Sequence, residues 1–150
     1  MADQGNRTTV KRYVEAFFSP NDLDALESTL APDVEVVYPQ SGERFRGRGN
    51  VRAHLENYPG RAEVFTASVE RVVGDDPSYA LSPRFTILRI EGSGETFTAI
   101  GTVRYEENDP THVIQLVEVH DGLIERVSAY FAEPFAAPDW RAPFRELVAR

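Results

Sequence analysis

Cysteine is absent from the 150 residues. That removes disulfides, thiolate nucleophiles and cysteine-bound zinc together. Lysine is almost absent: Lys11 stands alone among sixteen basic residues, and the rest are arginine. Arginine favours planar, hydrogen-bonded pairing over loose point charge, and a GC-rich genome gives the same bias. There is no basic surplus either. A net charge of −8 argues against binding a phosphate backbone as the main task, so nucleic acid is not an expected partner. No apolar run approaches the roughly eighteen residues of a membrane helix, so no membrane partner is expected. The opening MADQGNRTTV is polar and has no signal-peptide core, which makes the cytoplasm the expected location. His, Asp and Glu do not recur at metal-ligand spacing, and no phosphate-loop pattern occurs. Neither a metal nor a cofactor is expected.

What is present reads as an ordinary globular chain, with 41% apolar and 27% charged residues and no repeat or linker. Val10, Tyr13, Val14, Phe17 and Phe18 recur at helical spacing and predict a first helix over 7–18. The SPND stretch at 19–22 stops it and caps a second, which runs through Leu23, Leu26 and Leu30 to Ala31-Pro32. Residues 34–38 read as a short strand. Gly47 and Gly49 open a third helix carrying Val51, His54, Leu55 and Tyr58, closed by Pro59-Gly60. Beyond residue 61 the period changes to two. Strands are expected over 62–73, 79–91, 95–107, 111–120 and 123–132, separated by turn residues. Asp121-Gly122 is the strongest hairpin signal in the chain, and Pro83 predicts a kink, bulge or edge. Helices first and long strands afterwards predict an α+β fold: three N-terminal helices on a curved antiparallel β-sheet. The expected division is a domain over 1–132 and a Pro/aromatic tail over 133–150. That tail is expected to pack on the domain or on a dimer partner, with Phe135, Trp140 and Phe144 folding back to close the domain or brace the dimer.

Four stretches, VKRYVEAFF, NDLDALESTLAPDVEVVYP, FRGRGNVRAHLENY and LVEVHDGLIERVSAYF, resemble in order the SnoaL-like branch of the NTF2-like superfamily. The resemblance implies a cone, a bent sheet wrapped by helices around an apolar cavity that holds a small apolar molecule. It also implies homodimers formed through the outer sheet face. Members include steroid isomerases, polyketide cyclases, epoxide hydrolases, dehydratases and non-catalytic binding proteins, so the fold leaves function open. By the same resemblance, Tyr13 falls where the isomerases keep an oxyanion-binding tyrosine. Tyr38 falls where their base carboxylate stands and Gln115 where their protonated acid stands. Ala129 takes the place of an aspartate found in many cyclase-like members.

Each of these residues carries two readings. Tyr13 is an oxyanion donor or a core aromatic. Tyr38 is a second phenolic donor at the rim or a strand-end aromatic under Pro39. Gln115 shares one strand face with Val113, Val117 and Val119, and its amide serves a ligand or a neighbouring hydroxyl. Glu118, on the opposite face, is expected at the surface or an interface. His54 is the most plausible neutral-pH proton acceptor, or a half-exposed surface histidine. Phe17, Tyr58, Val117, Phe131 and Trp140 are expected to form the apolar walls. Arg44, Arg46, Arg48 and Arg52 around Gly47 hold an anionic ligand group or simply face solvent. The expected function is therefore cofactor-free isomerase, cyclase or hydrolase-type chemistry on an apolar cyclic substrate, by Tyr/Gln hydrogen bonding and proton transfer. The alternative is a non-catalytic ligand-binding or assembly module that has lost the carboxylates.

Overall fold

Helix α1 (Ala2–Phe17) buries Val10, Tyr13, Val14 and Phe17 on one face, as their i, i+3, i+4, i+7 spacing requires. Lys11 and Glu15 pair at 3.1 Å one turn apart, both half exposed. The structure is a computed structural model that describes residues 2–17, 22–57, 71–72, 80–81, 85–104 and 109–148. Phe18, Tyr58, Pro59-Gly60, Pro83 and most of the strand expected over 62–73 lie outside the described residues.

The second helix is shorter than expected. α2 (Leu23–Ser28) gives way at Thr29 to strand β1 (Leu30–Tyr38), so the run expected to stay helical to Ala31-Pro32 is already strand. Two causes are visible. Pro32 has no N–H to continue a helix. The Ile124 N–H also donates to the Thr29 carbonyl at 2.8 Å, tying this segment into the sheet. The parallel pairing of β1 with the last strand then shifts register between Leu30 and Glu35, around that proline. A strand unforeseen in the sequence, β2 (Glu43–Arg46), pairs antiparallel with β1. Helix α3 (Arg48–Glu56) follows from Gly47, whose φ of 86° suits glycine.

The remaining strands are β3 (Arg71–Val72), β4 (Ala80–Leu81), β5 (Phe85–Ser93), β6 (Thr96–Val103), β7 (Thr111–His120) and β8 (Leu123–Ala132). They form one open, curved sheet in the order β2-β1-β8-β7-β6-β5-β4-β3, antiparallel except between β1 and β8. Bulges between Ile87 and Arg89 and between Glu118 and Val119 add local bend and twist. The Asp121-Gly122 turn has φ of 49° and 76°, the left-handed pair that a two-residue hairpin loop needs.

Burial along β7 alternates without exception. Thr111, Val113, Gln115, Val117 and Val119 are inside, while His112, Ile114, Leu116, Glu118 and His120 are outside. The core sits between this inner face and the three helices. Asn6 holds α1 to two hairpin tips. Its Nδ2 donates to the Gly94 carbonyl at 2.8 Å, and its Oδ1 accepts from the Gly122 N–H at 3.0 Å. After β8 the tail runs to a short 3₁₀ turn (Asp139–Phe144). Among the described residues no helix is long and apolar enough to cross a membrane.

Candidate functional site

The sheet's inner face sets the geometry. Gln115 stands in register between Ala99 on β6 and Ala129 on β8. β1 runs parallel to β8 with Val37 beside Ser128, so Tyr38 comes next to Ala129. One row across the sheet thus reads Tyr38, Ala129, Gln115, Ala99. Small side chains, Ala99 and Ala129, thus flank Gln115 on both neighbouring strands. Gly101 continues the thin patch on β6, where an added Cβ would meet the Thr86 carbonyl oxygen at 2.6 Å.

Gln115 is 1% exposed, and neither its Nε2 nor its Oε1 has a protein partner. It borders a small hollow of about 10 Å³ whose surface is wholly apolar, formed with Val14, Ile87, Ala99, Ile100, Gly101 and Val113. That is roughly the space one water occupies. Tyr13 is fully buried and its hydroxyl is likewise unpartnered. Burial, reinforced by the nearby Tyr38 phenol, pushes its pKa well above the ordinary value, so Tyr13 is a neutral phenol and a donor. Its ring lies 5.9 Å from that of Phe17.

At the end of β1 the Tyr38 hydroxyl meets His54 Nε2 at 2.9 Å. Aromatic rings hold the pair. Phe45 stacks on the imidazole at 3.9 Å, and Phe131 meets the Tyr38 ring edge-on at 5.3 Å. The turn after Tyr38 is fixed by its carbonyl, which accepts from the Gly42 N–H at 2.9 Å. Gln40 then reaches across to accept the Phe131 N–H at 2.6 Å. Burial is the main influence on His54 and lowers its pKa. The carbonyls of Asn50 and Val51 in its own helix oppose this, although its buried Nδ1 makes no well-formed hydrogen bond. Those carbonyls favour a proton on Nδ1, which leaves Nε2 to accept from Tyr38. The imidazole is neutral near pH 7.

The structure therefore joins Tyr38, His54 and Phe131 in one cluster, and puts Tyr13, Phe17, Gln115 and Val117 in the buried interior. Trp140 is not buried with them. It is 71% exposed, with the Arg141 guanidinium 5.2 Å above its ring. Tyr58 lies outside the described residues. Phe45 is not among the residues the sequence singles out, since the arginines flanking it in ERFR dominate that stretch. Its one apolar residue among polar neighbours was the available signal for a half-buried strand.

The four arginines near Gly47 are engaged within the chain. Arg44 and Arg46 approach Glu35 at 3.9 and 3.3 Å. Arg48 donates to the Leu30 carbonyl at 2.7 Å, and Arg52 meets Asp24 and Glu27 at 2.5 and 2.7 Å. No Asp, Glu, Lys or Arg occurs among the described buried residues, where the polar members are Asn6, Thr29, Thr111 and Gln115. Among the described residues, no group of three His, Asp or Glu is placed to hold a metal.

Residues 10–127 match the SnoaL-like domain. No curated protein matches the chain. Among solved structures, an NTF2-like protein of unknown function from Burkholderia xenovorans LB400 is 25% identical over 97% of both chains, with a TM-score of 0.71. A protein of Kribbella flavida DSM 17836, provisionally assigned as a ketosteroid isomerase, is 20% identical over 99% of this chain and 93% of its own, at 0.76. An epoxide hydrolase of M. tuberculosis is 19% identical over 87% and 85%, at 0.61. These last two likenesses are of fold alone. The family match, which spans most of the chain, and the open cone shared with these neighbours lead to one conclusion: the chain belongs to the SnoaL-like family and has the NTF2-like fold.

Proposed function

We propose that the protein binds a small, neutral, apolar cyclic molecule inside the cone and acts on it by hydrogen bonding and proton transfer, without a cofactor. The observation that carries this reading is the Tyr38–His54 hydrogen bond of 2.9 Å, set beside two buried donors with no protein partner. Tyr38 occupies the strand position that the family resemblance gives to a carboxylate base, and the imidazole behind it restores a proton acceptor. A proton leaving a carbon next to a carbonyl passes to the Tyr38 oxygen while the phenol's own proton moves to His54 Nε2. Negative charge builds on the substrate oxygen, where the Tyr13 O–H and the Gln115 N–H stabilise it. The absence of a buried charge among the described residues favours neutral substrates.

The test is turnover of a β,γ-unsaturated cyclic ketone and of a cyclic aliphatic epoxide by the wild type, Tyr38→Phe and His54→Gln. The expected loss on removing either partner is about 10² to 10⁴-fold. Turnover unchanged in both variants would sink the assignment. A second reading, a binding module without catalysis, rests on the lack of any Asp or Glu among the described buried residues. It is supported if ligands bind and no product forms on long incubation.

The outer sheet face gives the same proposal a quaternary element. Leu88, Ile114, Leu116 and Tyr130 are 42–44% exposed, and Ile114 sits directly beside Tyr130 in the β7–β8 register. We place the homodimer contact on this face.

A further inference from the structure

The parallel pairing of β1 with β8 ends at Val37 and Ser128, yet β8 runs on to Ala132. Beyond Tyr38 the chain of β1 turns away over residues 39–42. Pro39 has no N–H to offer a ladder. The Tyr38 carbonyl is engaged in its own turn, accepting from the Ser41 and Gly42 N–H groups at 3.2 and 2.9 Å. Gln40 takes over with a side chain. Its Oε1 accepts from the Phe131 N–H at 2.6 Å, across 91 residues of sequence. The register is kept, since Gln40 lies as far past Val37 as Phe131 lies past Ser128. An amide oxygen thus stands in for the backbone carbonyl that a continuing β1 would have supplied.

This bond fixes the backbone that carries the Phe131 ring. Phe131 is half-buried and packs on the core. It stands next to the last residue of β8, where a strand frays unless its backbone is held. Val113 holds it in register on the β7 side, and Gln40 holds its N–H. Phe131 and Phe45 both meet the Tyr38 ring edge-on, at 5.3 and 5.1 Å. Phe45 is secured by its own strand, in register with Val36. Between these rings the Tyr38 hydroxyl reaches His54 Nε2 at 2.9 Å, a contact that weakens steeply once its distance and angle are lost.

We propose that Gln40 is a positioning residue for the Tyr38–His54 pair: it completes the β1–β8 ladder, holds Phe131, and so keeps the phenol on the imidazole. That the pair moves a proton rests on the function proposed above; the positioning itself is read without any substrate. Gln40 is exposed, so replacing it removes no side chain from the core.

Gln40→Met keeps the length of the side chain and deletes the acceptor, whereas Gln40→Glu keeps an acceptor oxygen. Two NMR signals are followed in the ligand-free protein: hydrogen exchange of the Phe131 amide, and the ¹⁵N resonance of His54 Nε2 above about pH 7, where the ring is neutral. The chain has three histidines, His54, His112 and His120, and His54→Gln identifies the signal by its loss. In Gln40→Met the Phe131 amide is expected to exchange about three- to tenfold faster. The Nε2 signal is expected to move toward its position in Tyr38→Phe, which lacks the hydroxyl. Gln40→Glu is expected to leave both as in the wild type. An unchanged Phe131 amide, an unmoved Nε2 signal, or equal perturbation by Met and Glu overturns the proposal. A wild-type Nε2 signal that already matches Tyr38→Phe overturns it too, since there is then no pair to position. If the wild type turns over neither test substrate, the catalytic reading fails while these signals still decide the role of Gln40. With turnover in hand, Gln40→Met is expected to lower kcat about tenfold with KM little changed, and a kcat equal to that of the wild type overturns the proposal.

Discussion

At the scale of single residues, His54 is where the chemistry meets pH. Burial lowers its pKa from the ordinary 6.5, so the folded protein holds this proton less tightly than the unfolded chain does. The sign follows from linkage. Stability from a neutral buried histidine is present above about pH 6.5 and declines as pH falls from there toward the lower folded pKa. The proposed Tyr38 relay needs the same neutral Nε2. Turnover is therefore expected to be level above about pH 6.5 and to fall on the acid side with an apparent pKa below 6.5. His54→Gln should remove that limb from whatever activity remains. An acid limb that survives the substitution would assign the titration to another group. The sequence singles out His54 as a candidate proton acceptor or a half-exposed surface histidine, but does not show its partner. Tyr38 and His54 are sixteen residues apart, and only the β1–β2 turn and α3 bring them together. Phe45 was hidden for a related reason: a four-residue strand between glycines gives too short a period to read.

At the scale of elements, the clearest dependence is of α1 on two hairpin tips. Asn6 is 4% exposed and spends both ends of its amide on Gly94 and Gly122. Thr9 adds a hydrogen bond to the Gly122 carbonyl at 2.9 Å. Asn6→Ala strands a partly buried N–H and a carbonyl together, and is expected to cost about 1–3 kcal/mol. Urea unfolding should show this as a lower midpoint with an unchanged slope. A midpoint equal to that of the wild type would mean that water replaces the side chain at no cost. Much of the element pattern was legible. β7 and β8 occupy the ranges that alternation predicts, because one buried face enforces period two and Asp-Gly fixes their register. The second helix was misread past Ser28. Leu30, Ala31 and Val34 satisfy a helical spacing nearly as well as a strand, and the deciding partner, Ile124, lies far along the chain.

At the scale of the whole molecule, the unpartnered apolar surface is outside the cone. Leu88, Ile114, Leu116 and Tyr130 mark the sheet, and Trp140, Phe144, Leu147 and Val148 are 71–86% exposed on the tail. Large exposed patches of this kind mark association surfaces. Sedimentation velocity at micromolar concentration is expected to give twice the 16.8 kDa chain mass. Ile114→Arg should shift the boundary toward the monomer, because two copies of the charge would face each other across the axis. A monomeric wild type under those conditions would remove the outer face as a dimer contact. The sequence signalled this surface through the family resemblance and through Ile114 and Leu116 on β7's second face. It could not show which strands flank it, since that depends on sheet order.

The Asn6 clamp also bears on how the chain comes to be folded during synthesis. Asn6 and Gly122 are 116 residues apart, and β1 likewise waits for β8 as its parallel neighbour. At ordinary elongation rates the ribosome needs on the order of ten seconds to make that interval. Throughout it, the Val10–Tyr13–Val14–Phe17 stripe is exposed with its eventual partner strands incomplete. Helix α1 is thus made well before the strands it docks on, and the nascent chain carries an exposed amphipathic segment suited to chaperone capture until the β7–β8 hairpin closes.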